Sequence, residues 1–191
     1  PIQSEDASTE FERFQEAVSQ AKVEVASLRE KALAEAGEEQ ARIFDAHLLM
    51  LDDPEVYEQV QERLHSTLMN VESIVFTLER EMIDQLSSSQ DPYIQERVSD
   101  VHDVIHRVLG HLLHRERFNL ADLDRDVILV ARDLLPSDMV GMAHTKIRGI
   151  ALEAGGRTSH AAILARAFGI PAVLGLGPFM ADVLGGTSII V

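Results

Sequence analysis

The sequence predicts two architectures in one chain: a helical bundle over residues 1–116 and an α/β layer over residues 117–191. Three observations carry this. Apolar side chains recur at helical spacing from Ser8 to about Leu113. After about Arg117, short β-branched runs alternate with short helical stretches. A glycine pair, Gly155-Gly156, joins one of those runs to an apolar helix.

Residues 1–7 read as a linker. Phe11, Phe14, Val18, Ala21, Val25, Leu28 and Ala32 alternate at spacings of three and four, an apolar seam along one helix that Gly37 ends. A second helix runs from about Glu38 to Leu51. Asp53-Pro54 supplies an N-cap and a first-turn proline for a third, reaching about Leu68. Asn70 is placed to cap a fourth, with Ile74, Leu78, Met82 and Leu86 on its buried face, and Ser87-Ser88-Ser89 breaks it. Asp91-Pro92 opens the last, through Leu112. Short connections imply antiparallel neighbours in a compact bundle.

Strands are expected at Val127–Val130, Ile147–Leu152, Ala172–Leu174 and Ser188–Val191, with helical pieces at Pro136–Met142, Ser159–Phe168 and Phe179–Val183.

With 46% hydrophobic residues the 191-residue chain can bury a sizeable core. Cysteine is absent, which excludes disulfide and thiolate chemistry. No apolar run approaches the roughly 20 residues of a membrane-spanning helix, and the polar, acidic start is unlike a signal peptide. A cytoplasmic location is expected. The net charge of −15 is uneven: residues 1–115 hold 24 acidic and 10 basic side chains, residues 116–191 hold 8 and 7. The acidic part would repel nucleic acid and anionic membranes, so neither is an expected partner, and it can steer a basic protein. Plain solubility explains the charge equally well.

The chemistry concentrates at Gly155-Gly156-Arg157-Thr158-Ser159-His160. Gly155 and Gly156 allow backbone shapes that a Cβ would block. Thr158 or Ser159 can cap the following helix. That helix start offers N–H donors and partial positive charge, a favourable place for phosphate. The same field disfavours imidazolium at His160 and leaves a nucleophilic lone pair. The expectation is that His160 accepts a phosphoryl group. Arg157 either contributes a guanidinium to the phosphate or pairs with an acid such as Glu153. Ser159 is assigned to capping and Thr158 to a mixed role. Arg166, two turns on, is assigned a structural one.

The stretch GGRTSHAAILARAFGIPAVLG resembles the active-site signature of enzyme I, the phosphoenolpyruvate–protein phosphotransferase family that opens the bacterial sugar phosphotransferase system. The blocks Gly37–Asp53 and Tyr93–Val101 resemble that family's helical part, so the resemblance covers nearly the whole chain. It implies a swivelling-type α/β phosphohistidine domain plus a helical-bundle carrier-binding subdomain, with phosphorylation at Nε2 of His160. It implies further that a strand preceding this sequence completes the α/β part, and that a carboxyl-terminal barrel outside it binds phosphoenolpyruvate and Mg²⁺. The present chain would need no cofactor of its own, would be monomeric, and would not use phosphoenolpyruvate alone.

The partner so implied is the carrier protein HPr or an HPr-like protein. Residue by residue, the resemblance places Glu38 and Glu39 as acidic contacts, Leu49 and Met50 as apolar contacts, Arg97 beside Ile94 as an anchor, and His47 on the helix facing the active site. At the position of Met139 the family often has a threonine that hydrogen-bonds the active histidine, which a thioether cannot replace. Two other readings stay open: a nitrogen-related enzyme I paralogue serving a different carrier, and a catalytically silent carrier-binding module.

Of the other histidines, His102 and His106 share a helix face at i, i+4, and His111 and His114 stand at i, i+3. No HExxH or acidic ligand pattern accompanies them, and no metal site is expected.

Overall fold

The computed structural model describes residues 2–114, 123–140, 142, 145–157 and 159–191, apart from the side chains of Ser4, Pro92, Tyr93 and Glu96. Thr158 and the 116/117 boundary lie outside the described residues. The chain forms two compact units, Pro1–Arg29 with Ile43–Arg117, and Glu30–Arg42 with Phe118–Val191.

The first unit is built from α1 (Ala7–Ala36) up to Arg29, α2 (Glu38–Leu51) from Ile43, α3 (Pro54–Thr67), α4 (Val71–Ser87) and α5 (Pro92–Leu112), with α4 and α5 the most extensively packed pair. The seam on α1 is where the periodicity places it: Phe14, Val18, Ala21, Val25 and Ala32 are buried. Gly37 closes α1 at φ +95°, with its N–H on the Ala32 carbonyl. Asp53 caps α3 by accepting the Glu55 N–H at 2.9 Å, with Pro54 in the first turn. Leu68 ends that helix in the left-handed region.

Asn70 holds the N-cap position of α4, but its side chain makes no capping bond. Its Oδ1 accepts from the Ser73 hydroxyl and its Nδ2 donates to Glu72. The Val71 N–H goes instead to Glu10, a buried carboxylate on α1, at 2.8 Å. Arg13 bridges Glu10 and Glu72, 2.5 Å from each. A buried carboxylate needs such partners, because its charge is costly without them.

The second unit carries a parallel sheet, β1 (Val127–Ala131), β2 (Ile147–Leu152) and β3 (Ala172–Val173), in the order β1-β2-β3. The crossovers contain α6 (Pro136–Met139) and α7 (His160–Ala167). Met139, Met142, Ile147, Ile150, Leu152, Ala161 and Leu164 form the core under them. A single 3₁₀ turn at Met180–Asp182 stands where a helical turn is expected.

One expectation fails here. Residues 188–191 join no ladder, and Ile190 is fully exposed. A four-residue apolar run with no paired edge does not specify a strand by itself. Instead Val191 lies over Gly149, where an added Cβ would come within 3.2 Å of it. Among the described residues, no helix is long and apolar enough to cross a membrane.

Candidate active site

His160 is the first residue of α7 and is half-buried. The local sequence explains its position. Ser159, in extended conformation, caps the helix by accepting the Ala162 N–H at 3.3 Å and donates its own hydroxyl to the Gly156 carbonyl at 2.9 Å. The Ile163 N–H bonds the Ser159 carbonyl. Neither of those bonds uses the Ala161 N–H, which points along the helix start as its neighbours do. The apolar face of α7 fixes its roll: Ala161, Leu164 and Ala165 are in the core. His160 therefore stands at the positive end of a helix whose other side is anchored.

Gly155 turns the chain out of β2 at φ +89°, a conformation an L side chain rarely adopts. Around Gly156, among the described residues, no atom beyond its two chain neighbours lies within 4 Å of where a Cβ would be, so the loop is open on that side. Arg157 is exposed at its tip.

The pairing of Arg157 with Glu153 is not found. Glu153 Oε1 accepts the N–H groups of Phe179 and Met180, at 2.8 and 2.9 Å. These bonds from Met180 and Phe179 hold the Glu153 carboxyl below the usual carboxylate range. Because the folded form has the lower pKa, its contribution to stability is present above the unfolded pKa and lost as pH falls through the folded one. The protection factor of the Met180 amide, its exchange measured relative to the intrinsic rate at each pH, should therefore fall on acidification, and Glu153→Gln should remove that dependence.

Arg166 serves the loop structurally. It donates to the Ala162 carbonyl and, at 2.9 Å, to the Arg157 carbonyl, tying the loop tip to α7. Met139 is fully buried in the core and acts there as packing.

Sequence reasoning missed the strut beneath the loop. After β3, the N–H groups of Gly175, Leu176 and Gly177 bond the carbonyls of Ala154, Leu152 and Glu153. Gly175 has φ +74°, and a Cβ on it would sit 2.9 Å from the Gly155 carbonyl oxygen. The signal was a glycine closing the apolar run Ile170–Leu174. Gly175→Ala should cost about 1–3 kcal/mol in urea unfolding, since both the backbone angle and a rigid backbone atom oppose it.

The residues assigned to a carrier surface divide by exposure. Leu49 is 73% exposed and Ile94 is exposed too. Arg97 is half-exposed and donates to Asp100 at 3.2 Å. Glu38 and Glu39 are exposed on the first turn of α2, within the second unit, with Arg42 at 3.8 Å from Glu38. Two placements need correction. His47 is 1% exposed, edge-on to Phe44 and 3.5 Å from the buried Asp100, so it is an interior packing residue and not a surface contact. Met50 is half-buried and lines a small apolar cavity of about 30 Å³ with Phe14, Tyr57 and Leu78. The resemblance assigns residues by position in the sequence and not by exposure, and here both side chains fall on the inner side of α2.

Comparison with known proteins agrees with this geometry. Residues 1–97 match the family model of the amino-terminal domain of PEP-utilising enzymes, and residues 123–191 match that of their mobile domain. The chain is 38% identical over 186 residues to a phosphoenolpyruvate-protein phosphotransferase of Bacillus subtilis, with 97% of this chain and 33% of that protein covered. A namesake from Listeria monocytogenes is also 38% identical, with 97% and 32% covered. The chain thus spans about a third of the length of these relatives. A solution structure of Enzyme I is 38% identical with a TM-score of 0.77, covering 96% of this chain and 74% of that one. The N-terminal domain of the nitrogen Enzyme 1 is 28% identical with a TM-score of 0.63, covering 89% and 69%. The chain belongs to the PEP-utilising enzyme family and corresponds within it to the amino-terminal part of enzyme I, a helical bundle joined to an α/β phosphohistidine domain.

Proposed function

We propose that this chain is the phosphotransfer portion of an enzyme I, with His160 as the residue that carries the phosphoryl group. The observation that carries the reading is the placement of His160 at the first position of α7, beyond a glycine turn that is open on its outer side. An incoming phosphoryl group would bond to Nε2 as its bond to the donor breaks, and the helix start would stabilise its charged oxygens. Gly155 and Gly156 shape the loop, Ser159 sets the helix start, and Arg157 and Thr158 are assigned to the phosphate.

The partner is HPr or an HPr-like carrier, with Leu49, Ile94 and Arg97 of the first unit and Glu38 and Glu39 of the second as its assigned contacts, and His47 and Met50 packed inside the first unit beside them. Apolar and acidic contacts of this kind suit a modest interface with a basic protein. Phosphoenolpyruvate would be bound by a carboxyl-terminal barrel belonging to the whole enzyme, acting in the cytoplasm in sugar uptake. Mg²⁺ belongs with that barrel. Beside the His160 loop, Glu153 has one carboxylate oxygen engaged by two N–H groups, and a single carboxylate is a poor match for a hard cation that takes several oxygen ligands.

The likeness to the nitrogen Enzyme 1 supports a second reading, service to a different HPr-like carrier. Incubation of this chain with phosphorylated HPr, and separately with the phosphorylated nitrogen-branch carrier, tests both. Rapid acid-labile labelling by HPr supports the first reading, and labelling by the other carrier alone supports the second. Amide shifts on carrier addition without any labelling would show a silent binding module instead.

A further inference from the structure

We propose that Glu79, His102 and His106 form a binding site for one divalent transition-metal ion of the zinc class on the helical unit. The site is independent of the phosphotransfer reading. His102 and His106 stand one turn apart on α5, with their rings 3.9 Å apart between centroids. The sequence displays this pair but not its third member, which comes from α4. Glu79 Oε1 lies 2.7 Å from His102 Nδ1 and 3.5 Å from His106 Nε2, and one donor atom from each residue lies within 4.8 Å of the other two.

The distances suit a small tetrahedral ion. Bonds of about 2.0–2.2 Å to nitrogen and oxygen place neighbouring donors roughly 3.3–3.5 Å apart. The His106 to Glu79 edge already has that length, and the His102 edge needs to open by only about 0.6 Å. Two imidazoles and one carboxylate favour zinc and its first-row neighbours over magnesium or calcium, which prefer oxygen throughout. The Glu79 side chain is 4% exposed, whereas those of His102 and His106 are 41% and 45% exposed. The carboxylate is thus fixed in the interior and the imidazoles face outward, leaving an entry path and a fourth position for water. The donors also come from the most extensively packed helix pair, so the frame is set before metal arrives. A bound ion would join α4 to α5.

The chelator-treated 191-residue chain should be titrated with Zn²⁺ by calorimetry, with Co²⁺ as an optical probe. One equivalent should bind, Co²⁺ should show visible d–d absorption, and Zn²⁺ at a hundredfold excess over Kd should raise Tm by about 5–10 °C. His106→Asn changes an exposed side chain and should weaken binding at least about tenfold while the fold is kept. Glu79→Gln should do the same, and if that variant unfolds, His106→Asn decides alone. His65→Asn, on the exposed face of α3, should bind as the parent does. Absence of any Zn²⁺-dependent Tm shift, or affinity unchanged in His106→Asn, overturns the site.

Discussion

His160→Ala should abolish acid-labile phosphorylation of the chain by a phosphorylated carrier, a drop of at least a hundredfold to background. The expectation rests on chemistry first: among the side chains assigned to the loop, only an imidazole offers a neutral nitrogen nucleophile to phosphorus. Structure makes the variant informative. His160 is half-buried at the start of α7, while that helix is anchored by Ala161, Leu164 and Ala165 and capped by Ser159. Alanine is a good helix former, so stability should change by no more than about 0.5 kcal/mol. Activity and stability should therefore separate cleanly. If His160→Ala melted far below the parent, the loss of labelling would say nothing about the nucleophile. Ser159→Ala, which removes only the cap, should cost about 1 kcal/mol and leave labelling measurable.

Leu164→Ala should produce the largest stability loss, about 2–5 kcal/mol. Leu164 is fully buried and lies one turn beyond His160 on the inner side of α7. Around it are Met139, Ile150 and Leu152, and truncation leaves a cavity that these side chains can fill only in part. The α/β unit is small, so the loss is a large share of its total stability. Amide protection along β2 and α7 should fall most, because those elements share the damaged core. Phosphoryl acceptance should decline with the folded fraction and recover at lower temperature, a pattern that removal of His160 cannot give.

Much of this fold is legible in the sequence because local chemistry and tertiary packing agree. Asp53-Pro54 starts α3 and Ser159 starts α7 by bonds reaching only two or three residues along the chain. The seam on α1 is buried as its period requires. What escapes the sequence is whatever depends on a distant partner or on the exact roll of a helix. The Val71 N–H is satisfied by Glu10, 61 residues away, where Asn70 was the local candidate. His47 and Met50 turn inward, His47 toward Asp100 of α5 and Met50 into the apolar cavity lined by Phe14 and Leu78. Glu153 Oε1 is claimed by the turn at Phe179–Met180 rather than by Arg157. Glu79 joins two histidines only once α4 lies on α5. The placement of His160 was readable because glycine turn, cap and histidine are contiguous.

The account stands most directly on where the phosphorus ends up. After brief exposure of the chain to a phosphorylated HPr-like carrier, phosphorus NMR with fragmentation mass spectrometry at alkaline pH should find one phosphate, bonded to Nε2 of His160. A phosphate on any other residue, or labelling undiminished in His160→Ala, would contradict it.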